Sequence, residues 1–169
     1  MNVSEMVARA RRGDADAFTR LVTDRKDSLY RIAYSHCHNR EDALDIVSET
    51  VYRAFVSLSK LKNADHFYTW LIRILINCAV NHTRKMRRLV LTDRAAGDLA
   101  SSEVGTEELL DLHRAIEKLD QKQKSVIILK YLNDMTVEDV AEVMQMPVGT
   151  VKTHLHKALK ELRLELKED

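Results

Sequence analysis

One segment, from Thr136 to Leu162, constrains the possible folds of this chain more than any other. It holds two apolar stretches with helical spacing, separated by a break that ends at Pro147. The first stretch places its apolar residues on one helix face: Val137, Val140, Ala141 and Met144. The second has an inward stripe of Val151, Leu155, Ala158, Leu159 and Leu162. Thr136 suits the N-cap of the first helix, and a proline is well tolerated where the second begins.

The second of these helices has a polar outer face. Its outward residues are Thr150, Lys152, Thr153, His156 and Lys157. Lysine donates to guanine acceptors or to phosphate, and threonine contacts either bases or backbone. The small Ala141 allows two helices to cross closely. The segment therefore predicts a helix-turn-helix at about residues 137–160, whose second helix enters the major groove of DNA. A solvated surface helix is the alternative, and the combination of cap, small residue and turn argues against it.

The composition favours helices along the whole chain. Of 169 residues, 45% are hydrophobic and 5% aromatic, with only 4 Gly and 1 Pro. Few turn-forming residues and many Leu, Ala, Glu, Lys and Arg are typical of an all-α protein. The sequence has no apolar run of membrane-spanning length and no charged-then-apolar leader, so we expect a cytoplasmic protein that does not insert into membranes. Cys37 and Cys78 match no disulfide framework and are expected to be free thiols.

Charge divides the chain into three parts. Residues 1–88 carry 16 Lys and Arg against 10 Asp and Glu, whereas residues 89–112 carry 1 against 6 and residues 113–169 carry 10 of each. The acidic middle also loses helical periodicity, so residues 89–106 are predicted to be a flexible linker. It separates two small helical domains, residues 1–88 and 107–169.

Helical spacing and capping residues locate the elements within each domain. In the first, the predicted helices cover about residues 4–12, 14–37 and 40–58, and a fourth runs from Phe67 to the basic run that ends at Arg88. Asp14 and Asn39 are the predicted N-caps of the second and third helices. In the second domain, helices at about 107–119 and 122–132 precede the helix-turn-helix.

Several short motifs follow one another in order along both predicted domains. In the first they are Arg12-Gly13-Asp14, Ala17-Phe18, Glu41-Asp42-Ala43-Leu44-Asp45-Ile46-Val47, Glu49-Thr50, Arg53-Ala54-Phe55, Phe67-Tyr68-Thr69-Trp70-Leu71, Arg73-Ile74, Asn77, Asn81 and Arg84-Lys85. In the second they are Pro147-Val148-Gly149-Thr150-Val151-Lys152-Thr153 and Leu155. In this order the chain resembles the extracytoplasmic-function (ECF) sigma factors, the short sigma-70-type initiation subunits of bacterial RNA polymerase. The resemblance implies an all-α protein built from sigma region 2 and sigma region 4.

The resemblance also implies that the helix from about residue 40 to 58 binds core RNA polymerase. The charged residues expected to do so are Asp42, Asp45, Glu49 and Arg53. They recur at i, i+3, i+7 and i+11, so they share one helix face and can pair with complementary charges on a partner. A solvated helix edge is the alternative for this stripe.

A third implication is that the connector Lys60–His66 and the helix after it read the −10 promoter element as an opened strand. Opening DNA costs a few kcal/mol of unstacking, which the protein recovers by capturing and stacking bases. The residues implied are Asn63, His66, Tyr68, Arg73, Asn77, Asn81, Arg84 and Lys85. Tyr68 and Trp70 could stack on bases, but Trp70 also falls in an apolar stripe with Leu71, which favours a place in the core.

The outer face of the helix-turn-helix is then expected to contact the −35 element as duplex DNA, through Thr150, Lys152, Thr153, His156 and Lys157. The free chain is expected to be a monomer with modest affinity for DNA. Members of the resembled family are commonly held inactive by an anti-sigma factor, and we expect one here. No cofactor and no catalytic residue is expected, because polymerisation belongs to the partner enzyme. Gln145 stands where the family often has Gly, so a slightly strained or tilted turn is expected there.

Three further possibilities carry less weight. Cys78 and His82 lie one turn apart, and His36-Cys37-His38 ends a neighbouring helix, but no four-ligand zinc spacing is present, so no metal site is predicted. A stand-alone helix-turn-helix regulator would bind a palindromic site as a dimer, and it leaves the block from Glu41 to Lys85 unexplained. A helical adaptor that does not bind DNA would tolerate the loss of Lys152 and Lys157.

Overall fold

The structure is a computed structural model that describes residues 1–92 and 106–167. Within those residues the regular secondary structure is helical, and no strand is present. The all-α prediction is therefore confirmed. The chain divides into two compact units, residues 1–87 and 88–169. None of the helices in the described ranges is long and apolar enough to cross a membrane.

The first unit contains four helices, two short 3-10 turns and most of a fifth helix, which continues past residue 87. The helices are α1 (Val3–Arg11), α2 (Ala15–Thr23), α3 (Lys26–Cys37), α4 (Arg40–Ser57) and α5 (Phe67–Thr92). Asp14 caps α2 by accepting from the backbone N–H of Ala17 at 3.0 Å, and Asn39 caps α4 by accepting from the N–H of Asp42 at 3.0 Å. Both caps were predicted from the sequence. The Ala17 N–H, followed by the Arg9 side chain, lowers the pKa of the Asp14 carboxyl.

The single helix predicted for residues 14–37 is wrong, because the chain breaks between α2 and α3. Arg25 leaves helical torsions, with φ −119° and ψ 5°. The residues around this break are polar, so no apolar contact there favours one continuous helix. On either side, Leu21 and Leu29 are both buried in the core of the unit. The Arg25 guanidinium lies 4.1 Å from the centre of the Tyr68 ring, a cation–π contact between the break and α5.

Helix α5 begins at Phe67 as predicted, but it differs from its prediction in the burial of Trp70 and in where it ends. Phe67, Leu71 and Leu75 are fully buried, whereas Trp70 is only partly buried, so its predicted place in the core is wrong. In a helix Trp70 lies about 100° from Leu71, which turns it away from the centre of the buried stripe. The helix also continues to Thr92, four residues past Arg88. No helix-breaking residue occurs in that extension. Most of the predicted linker, residues 89–106, lies outside the described residues.

The second unit contains four helices among its described residues. They are α6 (Glu107–Glu117), α7 (Gln121–Ile127), α8 (Val137–Met144) and α9 (Val148–Lys167). The helix predicted for residues 122–132 is α-helical only to Ile127, and a π-helical turn, Ile128–Leu132, follows. The Asn133 side chain donates to the C=O of Ile128 at 3.1 Å and ends this turn. The buried residues of the second unit include Val126, Leu129, Val140, Val151 and Leu155.

Candidate protein and nucleic-acid interfaces

The four charged residues predicted to bind polymerase lie on α4, and they are not equally available. The Arg53 guanidinium donates to the Glu49 carboxylate at 2.6 Å, one helical turn away. This hydrogen bond raises the pKa of Arg53. The Asp42 carboxylate is 27% exposed and lies 3.5 Å from Nε2 of His82 on α5. Asp45 is exposed. The structure thus places the stripe at the surface, with Asp42 at its edge against α5.

An exposed apolar stripe lies beside these charges. The exposed fractions are 48% for Leu44, 65% for Tyr52, 57% for Phe55 and 63% for Val56. Their spacing of i, i+8, i+11 and i+12 places them along one side of α4. Phe55 also packs edge-on against buried Phe18 of α2, with ring centres 5.3 Å apart. We call the charged and apolar stripes together the α4 outer face.

The sequence interpretation missed the apolar half of the α4 outer face. A signal for it was present, because α4 carries two apolar stripes and only one can face the core. The buried stripe is Ala43, Ile46, Thr50 and Ala54. Contiguous exposed apolar side chains rimmed by charges are typical of a protein-binding surface.

The predicted −10 connector contains a hydrogen-bonded turn at residues 63–66. The side-chain oxygen of Asn63 accepts from the N–H of Asp65 at 3.0 Å, and the N–H of His66 donates to the C=O of Asn63 at 3.1 Å. The hydroxyl of Thr69 donates to the C=O of His66 at 3.0 Å, which joins the turn to α5. Asn63, Asp65 and His66 are exposed. Two of the predicted −10 residues therefore stand at the surface on an ordered backbone.

The remaining predicted −10 residues fall on two sides of α5. One set recurs on a single side of the helix and is mostly exposed, and we call it the α5 polar side: Arg73, Asn77, Asn81, Arg84 and Lys85. Tyr68 lies on the opposite side, where it is partly buried between Phe67 and the guanidinium of Arg25. The structure does not bring Tyr68 together with the α5 polar side. Trp70, which the sequence interpretation placed in the core, is partly exposed and lies at a helical angle between those of Asn77 and Asn81.

The helix-turn-helix has the predicted cap and an unusual turn residue. The Thr136 hydroxyl accepts from the N–H of Asp139 at 3.1 Å and caps α8. Gln145 follows α8 in the left-handed region, with φ 53° and ψ 48°. Its N–H donates to the C=O of Glu142, and the next N–H, of Met146, donates to the C=O of Ala141. These two bonds form a Schellman motif, whose left-handed residue is usually glycine.

The predicted −35 residues all lie on the exposed side of α9. The structure adds two cations to this side, Lys160 and Arg163, which the sequence interpretation did not name. Together they form the α9 outer face: Thr150, Lys152, Thr153, His156, Lys157, Lys160 and Arg163. The Thr153 hydroxyl donates to the C=O of Gly149 at 3.0 Å, so its oxygen is left mainly as an acceptor.

The acidic residues of α9 are engaged elsewhere. Glu161 accepts from the side-chain amide of buried Gln123 on α7 at 3.2 Å, and Glu165 pairs with Lys118 directly after α6. Both contacts turn the carboxylates toward the rest of the second unit. Although residues 113–169 are neutral overall, the α9 outer face is therefore cationic. This segregation suits a helix that approaches a phosphate backbone.

The two cysteines set aside in the sequence differ in burial, since Cys78 is buried and Cys37 is partly exposed. Burial raises the pKa of the Cys78 thiol, which keeps it protonated. The Cys37 thiol donates to the C=O of Ala33 at 3.2 Å. Within the described ranges, no group of three or more His, Cys, Asp or Glu side chains is arranged to hold a metal ion.

Comparison with known proteins matches both units of the chain. The profile of Sigma-70 region 2 matches residues 21–89, and that of Sigma-70 region 4 matches residues 109–162. The RNA polymerase sigma factor SigV of Bacillus subtilis is 35% identical over 150 residues, which cover 88% of this chain and 90% of that protein. The ECF RNA polymerase sigma factor SigW of the same organism is 30% identical over 184 residues, covering 99% of this chain and 98% of that protein. Among solved structures, CnrH in complex with the cytosolic domain of CnrY is similar with a TM-score of 0.77 and 25% identity, covering 99% of this chain and 98% of that one.

Proposed function

This chain belongs to the ECF sigma factors of the sigma-70 family, and on that premise we propose how its surfaces divide the work of transcription initiation. The α4 outer face binds core RNA polymerase. Apolar side chains such as Tyr52 and Phe55 supply the area that becomes buried, and the charged residues beside them orient the encounter. The observation that carries the proposal is this apolar stripe, whose four side chains are 48–65% exposed along one side of α4.

The 63–66 turn and the α5 polar side bind the opened strand of the −10 element. Asn63 and His66 offer exposed hydrogen-bonding groups to an unpaired base, and the cations Arg84 and Lys85 lie where they can follow its phosphates. Trp70 is the aromatic residue that lies on the α5 polar side, whereas Tyr68 lies on the opposite side of the helix. Base stacking on an aromatic ring contributes about 1–3 kcal/mol per base, which offsets the cost of strand separation.

The α9 outer face binds the −35 element in the major groove. Lys152 and Thr153 lie in the second turn of the helix, where a recognition helix contacts base edges. The cations farther along, such as Lys157 and Lys160, contact phosphates and set the affinity without selecting the sequence. Polymerisation itself takes place in the partner enzyme, and the chain needs neither a cofactor nor a catalytic residue for this role.

An anti-sigma factor is the second partner that we infer, and the cytoplasm is the compartment where both partners meet the chain. The exposed α4 outer face supports this inference. When polymerase is absent, an apolar surface open to solvent favours aggregation, and a second protein bound to it would prevent this. The CnrH structure, in which a cytosolic domain of another protein is bound, is consistent with such a partner. Affinity capture from native cells should recover a dedicated inhibitor as well as core polymerase. Recovery of polymerase alone under several growth conditions would count against the inhibitor.

Run-off transcription tests the proposal directly. Purified core polymerase and genomic DNA should yield discrete transcripts only when the chain is added, and their mapped starts should share two upstream elements. A Lys152→Ala variant should lose transcripts from these starts, whereas Lys26→Ala, a control cation on α3, should retain them. Transcripts that do not depend on the chain contradict the proposal. Tight binding of the chain alone, as a dimer, to a palindromic duplex would instead support a stand-alone regulator.

A further inference from the structure

Helix α1 is attached to the 63–66 turn by a side-chain contact between residues far apart in the sequence. The hydroxyl of Ser4 donates to a carboxylate oxygen of Asp65 at 2.6 Å. That distance is in the range of a charge-assisted O–H···O⁻ bond, which is about twice as strong as a neutral one. The contact joins a helix with no assigned role to a turn that we assign to base capture.

The position of Ser4 in α1 strengthens this contact. Asn2 caps the helix by accepting from the N–H of Glu5 at 2.8 Å, so Ser4 lies in the first helical turn. The amino end of a helix carries partial positive charge, which favours a nearby carboxylate. Two interactions therefore hold the Asp65 side chain against α1, namely the hydrogen bond from the Ser4 hydroxyl and the attraction to the amino end of the helix.

Asp65 passes this constraint to the neighbouring residues. Its backbone N–H donates to the side-chain oxygen of Asn63, and the N–H of His66 donates to the C=O of Asn63. A shift of the Asp65 backbone would thus disturb its hydrogen bond to the Asn63 side chain and would displace His66, the next residue in the chain. A carboxylate released from α1 would also be free to approach the phosphates of a bound strand, where like charges repel.

We propose that Ser4 and Asp65 are positioning residues that preorganise the 63–66 turn for recognition of a single-stranded base. The inference rests on the proposed function of this turn in reading the −10 element. It assigns to α1 a part in promoter selectivity rather than in polymerase binding. An ordered turn avoids the entropy loss of immobilising its side chains when the base arrives.

The test uses holoenzyme reconstituted from the full chain and core polymerase. Its readout is base discrimination, measured as the ratio of affinities for a single-stranded −10 oligonucleotide and for the same strand with one base changed. Ser4→Ala should lower this ratio by about three- to tenfold, as expected when one or two side chains lose preorganisation. Ser4→Thr keeps the hydroxyl and should retain the ratio. Ser35→Ala is the matched control, because the Ser35 hydroxyl donates within α3 to the C=O of Arg31 at 2.8 Å.

A double-mutant cycle with Asn63→Ala separates the possible causes. If Ser4 acts through the turn, Ser4→Ala should have little further effect on discrimination in the Asn63→Ala background. Unchanged discrimination in Ser4→Ala, or a loss that merely parallels lost affinity for core polymerase, overturns the inference. If Asn63→Ala and His66→Ala both leave discrimination unchanged, the proposed function of the turn fails as well, and this outcome is distinct from a failure of Ser4 alone.

Discussion

Replacing Tyr52 with alanine should weaken the binding of this chain to core RNA polymerase by about 10- to 100-fold. The Tyr52 side chain is 65% exposed on α4. An aromatic side chain can bury about 150–250 Å², so roughly 100–160 Å² of Tyr52 is available to a partner. At about 25 cal/mol per Å², complete burial contributes about 2.5–4 kcal/mol. Association realises only part of this, since ordering side chains and desolvating polar groups oppose it.

The same exposure limits the damage to the fold. About a third of the ring is in contact with the unit, so the free energy of unfolding should fall by no more than about 2 kcal/mol. Binding can be measured by competition of each variant with labelled wild-type chain for core polymerase, and folding by urea denaturation. Tyr52→Phe keeps the ring and should bind within about twofold of wild type. The defect of Tyr52→Ala should persist at high salt, because burial of apolar area is not screened as ion pairs are.

Two results would refute this reasoning. A Tyr52→Ala variant that competes as well as wild type would mean that the polymerase does not cover the apolar half of the α4 outer face. A defect shared equally by Tyr52→Phe would mean that the hydroxyl, rather than the ring area, carries the interaction.

Three other predictions follow from single positions. Gln145→Gly should stabilise the second unit by about 0.5–1 kcal/mol in urea denaturation. The relief of left-handed strain at this residue, about 1–2 kcal/mol, exceeds the cost of the added freedom of glycine in the unfolded chain. A loss of stability would show that Gln145 is not strained. Lys160→Ala should reduce the salt slope of promoter binding by holoenzyme by about 1, equally for all promoters, and an unchanged slope would remove Lys160 from the phosphate contacts. Because burial raises the pKa of Cys78, its contribution to stability is complete below the unfolded pKa of about 8.5 and is lost as pH rises toward the folded pKa. Stability should therefore fall less steeply above pH of about 8.5 in Cys78→Ala than in Cys37→Ala, and identical slopes would show that the Cys78 thiol is not shielded.

Local signals in the sequence were sufficient for much of the second unit. The caps and periodicity that define α8 and α9 act within a few residues, so Thr136 and the buried stripe at Val151 and Leu155 were placed without tertiary information. Strain at Gln145 was also expected, because Gln145 stands where the helix-turn-helix often has Gly, and the structure gives it left-handed torsions. The roles proposed for the α9 outer face remain predictions, but its residues were identified from helical spacing alone.

Longer-range features were not accessible in this way. Continuous helical spacing across residues 14–37 concealed the break at Arg25, because periodicity cannot show when two stretches pack separately against one core. The sequence interpretation missed the exposed apolar stripe of α4 and favoured the core for Trp70 for a related reason. An apolar residue in a helix has no local mark that tells whether its side of the helix faces the core or a partner.

The sequence by itself determined that this chain is all-α and that it carries the ordered motifs of a sigma factor. It also determined that α4 begins after the cap Asn39 and α8 after the cap Thr136. These properties depend on neighbours within one or two helical turns, where residue type decides the backbone. Only the tertiary structure decided which side of α4 stays exposed, which residues the carboxylates of α9 contact, and that Ser4 donates a hydrogen bond to Asp65. Such contacts arise from the packing of separate helices, and their partners are chosen by shape and burial across the unit rather than by spacing along the chain.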